Sequence, residues 1–229
     1  MEQLIKFKKL NADVILPNYA HPEDAGMDIY SYEEDLYQKG YKYICGCDEA
    51  GRGPMAGPLV ASGVILPVGY KLDGLDDSKK LTPKKRDQLF EIIKRDALYY
   101  EIEIISVEEV DELNVYEASK VAMTRCVQRM PKTDYVLTDC MPLDIDLPVL
   151  SLIKGDSKSG SIAAASILAK VTRDRIMEDL DNEYPQYQFK KHKGYVTKKH
   201  LELLEEHGVS PVHRKSFSPV KNVLGKSNK

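Results

Sequence analysis

YICGCDEAGRGPMAGPLVASGVIL, residues 43–66, is the stretch from which the rest of the chain is read. The apolar run YKYICGCDE reads as a buried strand that stops on two adjacent carboxylates, Asp48 and Glu49. Pro54, Gly57 and Pro58 mark a turn, and LVASGVIL (59–66) reads as a second strand. Side chains alternate faces along a strand, so Asp48 and Glu49 line one site only if the chain bends there, which Gly51 and Gly53 permit. The two glycines also leave the backbone bare on either side of Arg52, so that peptide N–H and C=O groups can press against a ligand. The turn lacks the G-x-x-x-x-G-K-[ST] spacing of a phosphate-binding P-loop. As a bare pattern it equally fits an ordinary tight turn.

Outward from this stretch, the punctuation predicts alternating elements. Thr82-Pro83 starts a helix, with a hydroxyl cap followed by proline at the first helical position. YYEIEIISV (99–107) alternates strongly and predicts a half-exposed third strand. Asn114 caps a helix whose Ala118, Val121, Ala122 and Val127 share one side. DYVLTD (134–139) and LPVLSLIK (147–154) read as short strands, the first ending on a carboxylate. A helix opening at SIAAASILAK runs toward Pro185, and VTKKHLELLEEHG is a last amphipathic helix stopped by Gly208. Strands come first as a meander and then alternate with helices, which predicts an α/β domain with a mixed sheet. Residues 1–31 differ: Pro17, Pro22 and Gly26 suggest short strands and turns. There are no internal repeats or low-complexity runs.

Composition narrows the class. A chain of 229 residues suggests one domain plus an appendage at ~150 residues per domain. With 42% hydrophobic and 30% charged residues it is expected to fold rather than remain disordered. No apolar run approaches the ~20 residues that span a bilayer, and the N-terminus lacks the apolar core of a signal peptide. Four cysteines, Cys45, Cys47, Cys126 and Cys140, make no disulfide scaffold, and Cys45-x-Cys47 lacks the spacer of a zinc knuckle. They are expected to be reduced and mostly buried, in a cytoplasmic protein. Charge is uneven. Residues 190–229 hold ten Lys/Arg against three Glu, a net of +7, which leaves −10 on the other 189 residues of a chain whose total is −3. Four of the five histidines lie in the same basic segment. A basic segment beside an acidic body suggests a polyanion held near an acidic site, although charge alone also fits a solvated tail.

Four acids stand where a strand stops or a loop begins: Asp48, Glu49, Asp139 and Asp156. Carboxylates brought together repel, and a cation is the simplest way to keep them ionised. An oxygen-only set favours Mg²⁺ or Mn²⁺ over zinc and points to phosphodiester chemistry. Asp76, Asp77, Asp144 and Asp146 are equally available by this logic, and spacing alone does not choose among them.

Five motifs then occur in order: DEAGRGPMAGPLVASGVIL, DDSKKLT, KGDSKSGSIAAASILAKVTRD, HKGYVTKKH and VHRKSF. Together, from about Tyr32 to Val220, they resemble bacterial ribonuclease HII, the type 2 ribonuclease H family. The resemblance implies an RNase H-like fold: a five-stranded mixed sheet flanked by helices, a C-terminal helical segment and a short N-terminal extension. It selects Asp48, Glu49, Asp139 and Asp156 as the catalytic and metal-binding acids. It further implies that Gly51, Arg52 and Gly53 contact the ribose 2′-hydroxyl and its phosphates, that Tyr195 senses the RNA–DNA junction, and that Lys79 or Lys80 and Arg214 with Ser216 hold the nucleic-acid backbone.

The implied reaction is hydrolysis on the 5′ side of a ribonucleotide, in RNA/DNA hybrids or at a single ribonucleotide in duplex DNA, leaving a 3′-hydroxyl and a 5′-phosphate. Two Mg²⁺ or Mn²⁺ ions roughly 4 Å apart would activate a water and stabilise the leaving oxygen, with Asp48 as the shared ligand. Discrimination must rest on the 2′-hydroxyl. A monomer is expected. The type 1 hybrid-cleaving enzymes are the nearest alternative, against which the Gly-Arg-Gly turn and HKGY argue. A non-enzymatic nucleic-acid binder is a further reading, opposed by retention of all four acids. Residues 4–31, with VILPNYAHPEDAGMDIYS, are similar to the first motif of trimeric dUTPases (Ala25-Gly26-Met27-Asp28) and to none of the later ones, so residues 1–31 read as a fused remnant without pyrophosphatase activity.

Overall fold

A computed structural model describes residues 32–72, 74–75, 78 and 81–227. The dUTPase-like stretch, Asp76, Asp77, Lys79 and Lys80 therefore lie outside the described residues. Helix α1 (Tyr32–Gln38) leads into β1 (Ile44–Ala50) and β2 (Leu59–Ile65), then α2 (Pro83–Asp96), β3 (Tyr99–Ile105), α3 (Val107–Leu113) and α4 (Val115–Arg129). The chain continues through β4 (Tyr135–Asp139), β5 (Val149–Leu152), the long α5 (Gly160–Glu183) and the C-terminal α6 (Phe189–His192), α7 (Lys198–His207) and α8 (Ser218–Ser227). The five strands form one mixed sheet in the order β3-β2-β1-β4-β5. β1, β2 and β3 are antiparallel neighbours, whereas β4 runs parallel to β1 and β5 parallel to β4.

Period-two alternation on the central strands builds a core on each face. Cys45, Cys47, Leu59, Ala61, Ile65 and Val136 pack under α4 with Ala122, Met123 and Cys126. In the opposite phase, Val64 meets Leu89, Phe90 and Ile93 of α2 and the apolar side of α5, and Ile44, Leu137 and Leu152 meet Ile162 and Leu36. Gly46 belongs to this second phase because α5 begins against it: a Cβ there would stand 2.2 Å from the backbone carbon of Ser161. The acidic end of β1 and the start of α5 are thus held at backbone contact.

The predicted caps operate as read. Thr82 accepts a hydrogen bond from the Lys85 N–H, and Asn114 accepts from the Tyr116 and Glu117 N–H groups. Some elements depart from the sequence reading. The third strand stops at Ile105, because Ser106 turns the chain and caps α3 through the Glu109 N–H at 3.2 Å. The charged stretch before β1 is helix α1, held by Leu36 and by buried Glu33, whose carboxylate accepts from the Ser159 hydroxyl (2.6 Å) and the Ser161 N–H (2.8 Å) at the start of α5. The basic C-terminal segment is not a solvated tail: it buries Leu203, Leu204 and Val220, and also His200, His213 and Arg214. Cys45, Cys47 and Cys126 are buried free thiols, and Cys140 is an exposed one. Among the described residues no helix is long and apolar enough to cross a membrane.

Candidate active site

The parallel part of the sheet gathers its strand ends at one edge. β1 and β4 are in register with Cys47 opposite Thr138, which sets Asp48 beside Asp139, the last residue of β4. β5 ends at Leu152, and the chain passes through left-handed Lys154 (φ 55°) into a short helical turn, Gly155–Ser157, that carries Asp156. Asp139 accepts the Gly155 N–H at 2.7 Å and so fixes that turn to β4. Asp48, Asp139 and Asp156 each offer an oxygen within 4.8 Å of the others.

Glu49 lies outside this group of three. Its phase on β1 is that of Cys45 and Cys47, not that of Gly46 and Asp48, and its carboxylate faces Arg52 at 3.4 Å. It remains close enough to act on Asp48. Burial first, and then the Glu49 charge, raise the Asp48 carboxyl well above the usual range, and Asp139 adds to the effect. The Ser166 hydroxyl of α5 and the Glu49 N–H (2.7 Å) bond to the Asp48 carboxylate and oppose the rise. Ser166 is itself bonded to Ser78 at 2.8 Å. Three crowded acids, two of them only 6% and 8% exposed, fit a hard divalent cation, which would offset their repulsion and accept oxygen donors alone.

The turn beyond β1 rests on two buried cations. Gly51 has φ +105°, and a Cβ on it would meet Arg173 Nε at 2.4 Å. Arg173 of α5 is 1% exposed and donates to the carbonyls of Ala56 (3.1 Å), Pro58 (3.0 Å) and Lys193 (2.9 Å). One guanidinium thereby ties the 51–58 loop to the loop that carries Tyr195. Arg214 is wholly buried and donates to the carbonyls of Gly57 (2.9 Å) and Arg52 (3.4 Å). Burial lowers Arg173 to about 10; burial and then the Arg173 charge lower Arg214 to about 9. Both stay charged near neutrality.

Arg52 and Tyr195 reach the surface of this platform. Tyr195 is 44% exposed, and its Cε1 lies 3.5 Å from where a Cβ on Gly53 would stand. The structure therefore groups Gly51, Arg52, Gly53 and Tyr195 and sets Arg214 beneath them. Ser216 is placed apart: its N–H and hydroxyl both bond to Asp111 of α3. Lys79 and Lys80 belong to the undescribed positions. Sequence reasoning missed Ser166 and Arg173. Ser166 sits in the N-terminal part of α5, which is buried all round, and Arg173 on its inward side, where a polar side chain needs a partner, and that is the signal that would have found them.

The family model described as Ribonuclease HII matches residues 45–220. A ribonuclease HII of Listeria monocytogenes is 54% identical over 195 residues, which are 85% of this chain and 75% of that protein. The structure of ribonuclease H2 from Pyrococcus horikoshii OT3 superposes with a TM-score of 0.69 at 28% identity, covering 81% of this chain and 99% of that one. Bst-RNase HIII, solved in complex with Mn²⁺, shares the fold with a TM-score of 0.62 at 17% identity, over 83% of this chain and 72% of that one.

Proposed function

The chain belongs to the ribonuclease HII family, and from that premise we propose that this metal-dependent nuclease cuts on the 5′ side of ribonucleotides in RNA/DNA hybrids, including a single ribonucleotide within duplex DNA. The observation that carries this reading is the adjacency of two devices: three carboxylates whose oxygens lie within 4.8 Å, and a bare-backbone turn flanked by Tyr195. Two Mg²⁺ or Mn²⁺ ions, when bound, supply activation of the attacking water and neutralisation of charge on the leaving 3′-oxygen. Asp48, Asp139 and Asp156 would hold them, with Asp48 shared and Glu49 completing the set from its neighbouring position.

The chain's own groups do the recognising. The peptide groups of Gly51–Gly53 offer a donor and acceptor pair to the 2′-hydroxyl, and deoxyribose would leave that pair unmet. Tyr195 presents its ring beside Gly53, where a sugar or base stacks. Among the described residues Arg173 and Arg214 bond to carbonyls and to no carboxylate, so they add positive potential beneath the turn. Arg214 acts on substrate through the turn that it holds. Lys79 or Lys80 would position the nucleic-acid backbone without reading bases, whereas Ser216, whose hydroxyl is bonded to Asp111, would add little to that.

The test is cleavage of a labelled duplex with one embedded ribonucleotide, in Mg²⁺, in Mn²⁺ and in EDTA, by the wild type and Asp48→Asn. Cuts 5′ to the ribonucleotide that need metal and Asp48 are expected. Cleavage restricted to long ribonucleotide runs would replace this reading with a type 1 specificity.

A further inference from the structure

Behind Tyr195 lies a set of side chains that the chemistry above does not use. His192, His200 and His213 pack with Tyr187 and Phe189; the His192 and His200 rings stack at 4.1 Å, and His200 and His213 are wholly buried. Each ring nitrogen has a partner, and the partners dictate the protons. His200 Nδ1 stands 2.9 Å from the Tyr195 carbonyl, which only accepts, so Nδ1 carries the hydrogen. His200 Nε2 must then accept, and His213 Nε2, 3.1 Å away, must donate to it. His213 Nδ1 becomes an acceptor, and Ser210 fills it with its hydroxyl (2.7 Å) and its N–H (3.1 Å). By the same logic His192 Nε2 donates to the Tyr187 carbonyl at 2.8 Å, and its Nδ1 accepts the Gly194 N–H at 3.3 Å. No lone pair is left over for a metal, and no ring nitrogen for another proton.

This chain ends on the main chain of Tyr195, and it is anchored to the other arm of the recognition platform. His213 forms a β-bridge with Ala56, the Arg214 N–H donates to the Met55 carbonyl (2.9 Å), and the Met55 N–H donates to the Gly194 carbonyl (3.0 Å). We propose that Ser210, His213 and His200 are positioning residues: a relay of neutral imidazoles that fixes the Tyr195 backbone, and with it the ring beside Gly53, so that ribose recognition depends on groups that never touch the substrate. The proposal rests on the reading of Tyr195 as a recognition residue. Burial holds His200 near 4 and His213 near 3, which keeps both rings neutral at working pH, as the relay requires.

Two isosteres separate the relay from simple packing. In His200→Asn the amide nitrogen stands near the position of Nδ1 and keeps the bond to the Tyr195 carbonyl. In His200→Gln it stands near Nε2 and loses that bond. With the single-ribonucleotide duplex, His200→Gln is expected to raise KM about tenfold and His200→Asn less than about threefold, the scale of one lost hydrogen bond. The Mn²⁺ concentration for half-activation should stay unchanged in both. Equal effects of the two variants, or a shift in metal dependence, would overturn the relay. Tyr195→Ala serves as the reference: if it leaves KM unchanged, the Tyr195 reading itself fails, whereas a raised KM there with equal Asn and Gln variants removes the relay alone. A measurement on the unaltered protein does not depend on a variant folding. Imidazole ¹⁵N shifts at pH 7 should show His200 protonated on Nδ1 and His192 and His213 on Nε2. His200 protonated on Nε2, or a charged ring among the three, would also overturn it.

Discussion

The carboxylate edge and the proposed recognition platform lie side by side but are built in opposite ways. The edge is made of strand ends: Asp48 and Asp139 are fixed by the β1–β4 register, and Asp156 follows one turn later. The platform has no regular backbone. Its loops hold their shape because Arg173, Arg214 and three histidines spend their hydrogen bonds on loop carbonyls and on one another. The first region concentrates negative charge, whereas the second buries positive charge. Catalysis and discrimination should therefore fail separately.

The largest separation is expected from Asp48→Asn, which should lower kcat by about 10³-fold or more, roughly 4 kcal/mol of barrier, while the Kd for the ribonucleotide duplex in Ca²⁺ moves little. Gly51→Ala should do the reverse. The positive φ and the Arg173 contact forbid a Cβ, so KM for the single-ribonucleotide duplex should rise by about 10-fold to 100-fold, with Mn²⁺ binding by calorimetry preserved. Loss of metal binding in that variant would show that the two regions are one. Arg173→Met strips three carbonyls, two of them buried, of their donor and should cost about 3 kcal/mol or more in urea unfolding. Acid should act on the platform through its buried imidazoles. The unfolded chain binds protons on His200 and His213 near 6.5, which the folded chain refuses until about 4 and about 3, so stability is fully present above 6.5 and is lost as the pH falls through 4 toward 3. Tm measured at pH 7 and pH 5 should show that fall, and a flat profile would argue against neutral buried rings. Ser216→Ala should matter least, with KM changing less than about twofold, because the exposed hydroxyl is already bonded to Asp111.

The same contrast explains what was legible in the sequence. β1, β2, β4 and β5 announce themselves by apolar runs, and their terminal acids by position, so the edge can be sketched from the chain alone. The choice among eight candidate acids could not be made that way. It came from the motifs, and the structure brings Asp48, Asp139 and Asp156 together while Glu49 turns to Arg52. α1 and α3 escaped notice because each is only seven residues long with two buried positions, too few for a helical period. The platform was least legible. A basic, histidine-rich stretch reads as a wet surface, and nothing local says that the acceptors for Arg214 lie 157 and 162 residues away in sequence, at Gly57 and Arg52.

The parallel pairing of β1 with β4 has one more consequence. Adjacent strands are separated by about 4.8 Å, a distance set by peptide hydrogen bonds and indifferent to side-chain identity. The gap between Asp48 and Asp139 is thus inherited from a backbone ruler, and drift in the surrounding packing leaves it intact. A slip of a single residue between those strands would carry Asp139 about 3.3 Å along the sheet and onto its other face, dismantling the centre while every amino acid in it remained unchanged.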